Sequence, residues 1–150
     1  MPMNLKAFAL AALAAVLLAP AGAKAEPREA VVYKDPNCGC CAEYAKYLEG
    51  NGFAVSVVDT RDLTAVKHAH DVPEALAGCH TVLVEGYVVE GHVPVSVLER
   101  LLSERPEIKG ISLPGMPAGS PGMEPAGAEP YTVFLLRRDG STAPLERVTP

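Results

Sequence analysis

The stretch "AVVYKDPNCGCCAEYAKYLEGNGFAVSVV", residues 30–58, contains a strand, a breaker, a helix and a second strand in that order. Ala30-Val31-Val32-Tyr33 is a short apolar run rich in β-formers and reads as a buried strand. Lys34-Asp35-Pro36-Asn37 breaks it. From Gly39 to Glu49 the chain is built of good helix formers, with Cys41, Ala45 and Leu48 on one face and Glu43, Lys46 and Glu49 elsewhere. Gly50-Asn51-Gly52 stops the helix, and Phe53 to Val58 is a second strand. The unit is a β-α-β crossover with three cysteines, Cys38, Cys40 and Cys41, at the start of its helix.

Downstream, Asp62 to about His70 reads as a weaker helix, and Pro73 opens a short turn through Leu76. Thr81 to Glu85 and Tyr87 to Glu90 flank Glu85-Gly86, a tight hairpin signal. Pro94 suits the first turn of a helix running to Ser103, with Val97, Leu98, Leu101 and Leu102 as its apolar stripe. Pro106 lies just beyond its end. The order β-α-β-α-β-β-α, a crossover followed by a hairpin, predicts an α/β protein of thioredoxin-like fold, with a central mixed β-sheet flanked by helices.

Residues 110–130, "GISLPGMPAGSPGMEPAGAEP", are rich in Pro and Gly. Such a segment is expected to build neither a helix nor an inner strand, and on composition alone it reads as a linker or loop. Pro-Gly-Met nevertheless occurs twice, at residues 114–116 and 121–123. Tyr131 to Arg137, Asp139-Gly140 and Leu145 to Val148 then form a C-terminal β-hairpin extension. The Met-containing loop is therefore an excursion from the domain rather than a tail.

At the front end, Lys6 precedes an apolar run from Ala7 to Ala19, and Ala23-Lys24-Ala25 offers a small-x-small exit. This pattern predicts a secretory signal peptide over residues 1–25 and a single domain over residues 26–150. The run is shorter than the about 20 residues of a spanning helix, and no stable membrane insertion is expected after cleavage. Loss of Lys6 and Lys24 takes the formal charge from −5 to −7. An acidic chain without a basic cluster is a poor binder of nucleic acid or anionic lipid.

All four cysteines, Cys38, Cys40, Cys41 and Cys79, survive that processing. Two structural disulfides are the default for an exported chain, but bridges among three crowded thiols close tiny loops with little entropic benefit. Clustering at a strand-to-helix turn points to chemistry instead. Free amide N–H groups and the positive end of the helix dipole favour thiolates there, and such thiols serve as metal ligands or redox groups. Cys38 and Cys41 have Cys-x-x-Cys spacing, and Cys40 is a third thiol that simple disulfide exchange does not need.

In a thioredoxin-like topology the loop before the third strand lies against that helix start. Here the loop carries Cys79-His80, so the fold would bring a fourth thiol and an imidazole to the other three. His80 reads as readily as a structural residue as a ligand. His92 reads first as a helix-start residue and second as a group supporting the ligands. His68 and His70 do not share a helix face and read as solvated surface. Thiolates and thioethers select Cu(I), whereas thiolates with an imidazole also suit Zn(II). Two methionines, Met116 and Met123, favour copper. The scattered carboxylates, Glu85 and Glu90 among them, show no acid/base pairing.

"YKDPNCGCC" (33–41), "VPEALAGCHTVLVEGYVVEGHVP" (72–94) and "LPGMPAGSPGME" (113–124) resemble the CopG-type copper-resistance family of bacteria, exported thioredoxin-like proteins long catalogued as a domain of unknown function. The resemblance implies a periplasmic copper-binding protein acting in copper resistance or homeostasis. By position it implies Cys38, Cys40, Cys41 and Cys79 as metal ligands, with weaker grounds for Met116 and Met123. The expectation is capture of Cu(I), of one ion or several sharing bridging sulfurs, with copper passed from or to another periplasmic copper protein. The alternatives are a thiol-disulfide or copper oxidoreductase using Cys38 and Cys41, and a structural zinc module.

Overall fold

The computed structural model describes residues 26–123 and 129–150 of the chain. The expected signal peptide, residues 1–25, lies outside the described residues, as do residues 124–128 of the Met-containing loop. The crossover is present as β1 (Arg28–Lys34), α1 (Gly39–Gly50) and β2 (Phe53–Asp59). β1 and β2 run parallel, with Arg28 opposite Phe53 and Lys34 opposite Asp59. α2 (Leu63–Ala69) follows, its first turn capped by Asp62 Oδ1, which accepts from Ala65 N at 3.0 Å. A 3-10 turn at Glu74–Leu76 leads into β3 (His80–Val84) and β4 (Tyr87–Glu90). Glu85 and Gly86 between them have φ of 46° and 85°, the pair of positive values that a two-residue hairpin needs.

α3 (Val95–Glu104) buries Val95, Val97, Leu98, Leu101 and Leu102, the expected stripe with one residue added. Three strands complete the chain: β5 (Gly110–Ser112), β6 (Tyr131–Leu136) and β7 (Thr142–Val148). The seven strands of the described residues form one sheet in the order β2-β1-β3-β4-β5-β6-β7. The β1/β2 and β4/β5 pairs are parallel and the remaining pairs antiparallel. The architecture is α/β with a central mixed sheet, and it contains both the crossover and the hairpin that the thioredoxin-like expectation requires.

The expectation that residues 110–130 form no inner strand is wrong at their start. β5 lies inside the sheet, between β4 and β6. Its first residue approaches β4 so closely that a Cβ on Gly110 would sit 1.8 Å from the Val88 carbonyl oxygen. Ile111 is fully buried in the core. The Gly that lowers strand propensity here is the residue that permits the close pairing, and the prolines begin only at Pro114. The C-terminal hairpin, β6 and β7, accordingly continues the sheet instead of standing beside it.

Strand alternation divides the sheet into two faces. On one, Ala30, Val32, Val82, Val84, Val89, Ile111 and Val133 pack with Tyr44, Ala45 and Leu48 of α1 and Leu98, Leu101 and Leu102 of α3. On the other, α2 contributes Lys67, which reaches Thr81 and Glu90. The topology also sorts the chemistry. Lys34 is paired with His80, Thr81 with Glu90, and Glu90 with Ser112. The segments holding Cys38 to Cys41, Cys79-His80, His92 and Met116 therefore all leave the sheet at the same end.

Candidate metal and thiol site

Cys38 is the N-cap of α1. Its N–H donates to Asp35 O at 3.0 Å, and Asn37 N donates to Asp35 Oδ1 at 2.8 Å, so the breaker folds as a tight turn that delivers the cysteines to the helix start. Cys38 and Cys41 form a disulfide with their Cα atoms 5.4 Å apart, and Cys40 and Cys79 are free. Cys40 Sγ lies 3.5 Å from Cys38 Sγ, and Cys41 Sγ lies 3.5 Å from the Cys79 carbonyl oxygen. All four sulfurs fall within 4.8 Å of one another. The fold thus brings together the four thiols that the sequence separates by up to 41 positions.

A second group shares one of those sulfurs. Cys79 Sγ is 3.3 Å from His80 Nδ1 and 3.0 Å from His92 Nε2. The two imidazoles meet edge to face, with centroids 4.7 Å apart. Tyr44 packs on both at 4.5 and 5.4 Å, and its hydroxyl donates to Val93 O at 2.7 Å. His92 Nδ1 lies 2.7 Å from the Pro121 carbonyl oxygen. A carbonyl only accepts, so Nδ1 carries the proton and the Nε2 lone pair of the neutral ring faces Cys79.

His80 and His92 are both fully buried. His80 Nε2 has no hydrogen-bond partner among the described residues, a costly arrangement for a buried ring nitrogen. The nitrogen that faces Cys79 is Nδ1, so the thiol, His80 Nδ1 and His92 Nε2 together form a donor set suited to a thiophilic ion.

The Met-containing loop folds back over the same end of the sheet. Met116 is half exposed, and its Sδ lies 4.0 Å from Cys40 Sγ. Gly122, with φ of +81°, presses on α1: a Cβ there would lie 3.1 Å from Tyr44 N and 3.2 Å from Cys40 O. Ser120 is buried and donates to Pro117 O at 2.7 Å, while Met123 N donates to Ser120 O at 2.9 Å. Met116 therefore meets the thiols through its sulfur, whereas Met123 is held in the turn through its backbone. His68 is exposed on α2 and His70 caps that helix. Neither belongs to the two groups.

Burial, then the neighbouring Cys40, pushes the Cys79 thiol up to about 12. Burial, then His92 and Lys67, holds the His80 imidazole down at about 3, and burial also lowers His92. Without metal the site is thus a neutral thiol facing two neutral imidazoles. In the unfolded chain His80 takes up its proton near 6.5, and in the folded one near 3. Its contribution to stability is therefore complete above pH 6.5 and is lost as pH falls from there through 3. The Tm of the metal-free protein is expected to drop across that window, and the drop should be shallower in His80→Gln. Parallel curves would mean that His80 is not held neutral by the fold.

The chain is 42% identical to a solved structure of copper resistance protein CopG in its form 2, with a TM-score of 0.78, and 41% identical to form 1, with a TM-score of 0.77. Each comparison covers 83% of this chain and 100% of the other. The chain belongs to the CopG copper-resistance family. Residues 76–123 match the family described as a protein of unknown function, DUF411. That span takes in Cys79, His80, His92 and both Pro-Gly-Met elements, while the α1 cysteines of this CopG-family chain precede it. No curated protein matches the chain.

Two residues take places at the site that their local sequence does not signal. His92 was first a helix-start residue, yet it makes the shortest contact to Cys79. Glu90 showed no partner in sequence, yet it is fully buried and paired with Lys67. Glu90 stands at the end of the apolar run Tyr87-Val88-Val89, and its burial depends on a cation 23 positions away on another element.

Proposed function

We propose that this protein captures Cu(I) in the periplasm, for copper resistance or homeostasis, through thiolates of Cys38, Cys40, Cys41 and Cys79. His80, His92 and Met116 stand within reach as further donors, with Met123 a more distant candidate. The observation that carries the reading is the place of Cys79 Sγ, shared between a four-sulfur group and a Cys-His-His group. Soft sulfur donors favour Cu(I) over harder ions, and several such sulfurs side by side suit bridging between ions. Binding displaces protons from the thiols, and the cation relieves the repulsion among crowded thiolates.

The Cys38–Cys41 disulfide withholds two of the four donors. Its two-electron reduction by a dithiol, which itself becomes a disulfide, returns both thiols. Capture thus belongs to the reduced form, and release follows when exchange with a second disulfide, itself reduced to a dithiol, re-forms Cys38–Cys41. Copper would come from, or pass to, another periplasmic copper protein.

Anaerobic titration of the reduced protein with Cu(I) against a competing chelator, with Zn(II) in parallel, tests this. Cu(I) is expected to outcompete Zn(II), which separates the reading from a structural zinc module. Cys40→Ser should lower Cu(I) affinity by about 10-fold or more while the Cys38–Cys41 disulfide still forms. Unchanged stoichiometry and affinity in that variant would remove the third thiol from the site.

The disulfide also favours a second reading, a thiol-disulfide oxidoreductase. Cys38 is partly exposed, as an attacking thiol must be, and Cys41 is fully buried, as suits a resolving one. Turnover of a disulfide substrate by metal-free protein, abolished in Cys38→Ser and kept in Cys40→Ser, would select it.

A further inference from the structure

Glu90 is the one carboxylate that is completely buried among the described residues. It accepts hydrogen bonds from Gly78 N at 2.7 Å and from Thr81 Oγ1 at 2.7 Å, and it pairs with Lys67 of α2. Lys67 Nζ also donates to Thr81 Oγ1 at 3.1 Å. A buried ion pair of this kind adds little net stability, because desolvation offsets most of the Coulomb attraction. What it does accomplish is geometric.

Gly78 immediately precedes Cys79, and Glu90 stands two residues before His92. The two segments touch backbone to backbone: a Cβ on Gly78 would lie 2.7 Å from Gly91 Cα. Gly91 N donates to His80 O at 3.1 Å, and Leu113 N donates to Glu90 O at 2.9 Å. One side chain thus ties the loop that presents Cys79 to the segment that presents His92. The Cys79 Sγ to His92 Nε2 distance of 3.0 Å is set between those two segments.

We propose that Glu90, held by Lys67, is a positioning residue that clamps the Gly78-Cys79 loop to the Gly91-His92 segment and so assembles the Cys79-His92 pair. The inference rests on the copper reading for its consequence, but its geometry stands without metal. Groups behind metal ligands commonly govern affinity by about 10- to 100-fold by fixing orientation. Cys41 meets the clamped loop at Cys79 O, but no α1 cysteine bonds to Glu90 or Lys67 and both disulfide partners lie on the start of α1, so their disulfide should form whether or not Glu90 is intact.

Single substitutions would leave a buried charge unpaired and unfold the region, so the test uses two neutral pairs. Lys67→Met/Glu90→Gln keeps an amide oxygen to accept from Gly78 N and a polar group for Thr81. Lys67→Met/Glu90→Leu keeps bulk and removes the acceptor. Two readouts are taken on each: the alkylation rate of Cys79 by iodoacetamide in metal-free protein, resolved from Cys40 by peptide mass, and Cu(I) affinity by chelator competition.

The leucine pair is expected to alkylate faster at Cys79 and to lose about 10- to 100-fold in Cu(I) affinity. The glutamine pair should rescue both. In a His92→Ala background the leucine pair should cost little further affinity, because both changes break the same contact. Equal alkylation in the two pairs, or additive losses with His92→Ala, overturns the clamp. Failure of the wild-type protein to bind Cu(I), with alkylation still rising only in the leucine pair, overturns the copper reading and leaves the clamp standing.

Discussion

Gly110→Ala is expected to cost about 3 kcal/mol or more of folding stability, enough to unfold a domain whose whole margin is about 5–15 kcal/mol. The added Cβ would lie 1.8 Å from Val88 O, 2.7 Å from Val88 C and 2.9 Å from Val88 N. All three are backbone atoms of an inner strand, so no side chain can swing aside. Relief requires β4 and β5 to part, which breaks the pairing of Val88 with Gly110, Val89 with Ile111 and Glu90 with Ser112. Ile111 would leave the core with it.

A control is at hand in Gly50→Ala at the end of α1, where nothing lies within 4 Å of the new methyl and φ is ordinary. Urea denaturation of both variants checks the expectation. A midpoint for Gly110→Ala close to that of Gly50→Ala would contradict the β4–β5 register. Because β5 leads directly into the Pro-Gly-Met loop, the same variant should also weaken whatever the loop contributes to the thiols.

That strand marks the boundary of what the sequence makes legible. The crossover over residues 30–58 was readable because its apolar runs are long and each break has its own chemistry: Pro36 before the helix and Gly50-Asn51-Gly52 after it. The Glu85-Gly86 turn was readable for a similar reason, since two positive φ values call for such a pair. β5 was not. Three residues carry no periodicity, and its glycine lowers strand propensity for any reader who cannot see Val88 opposite.

The site divides along the same line. Cys38, Cys40, Cys41 and Cys79 were legible because thiols are rare and the topology dictates where the loop before β3 must go. Met116 was legible through a repeated tripeptide, although which of the two methionines approaches Cys40 depends on the loop's path and could not be read. His92 and Glu90 owe their importance to long-range partners: the Pro121 carbonyl, Cys79 and Lys67. A lone histidine or glutamate offers no local signal of such company.

Cys79→Ser is expected to reduce Cu(I) affinity more than any other single change at the site, beyond the about 10- to 100-fold that follows from disturbing a group behind a ligand. Cys38, Cys40 and Cys41 all lie on one turn of chain, so removing one leaves the others in place. Cys79 is the sole donor that belongs both to the four-sulfur group and to the Cys-His-His group, and its loss separates them. Serine is close in size and can hydrogen-bond to His92 Nε2 in place of the thiol, so the fold should survive with Tm nearly unchanged.

The two readings are told apart in this variant by different measurements, Cu(I) affinity for one and turnover of a disulfide substrate for the other. If the protein captures Cu(I) through the joined groups, chelator competition shows the large loss while the Cys38–Cys41 disulfide still forms and reduces. If the protein is a thiol-disulfide oxidoreductase, Cys79 is a bystander to the exchange, and Cys79→Ser retains disulfide turnover. A variant that binds Cu(I) as tightly as the wild type would show that the α1 cysteines suffice and that the imidazoles stand outside the copper site.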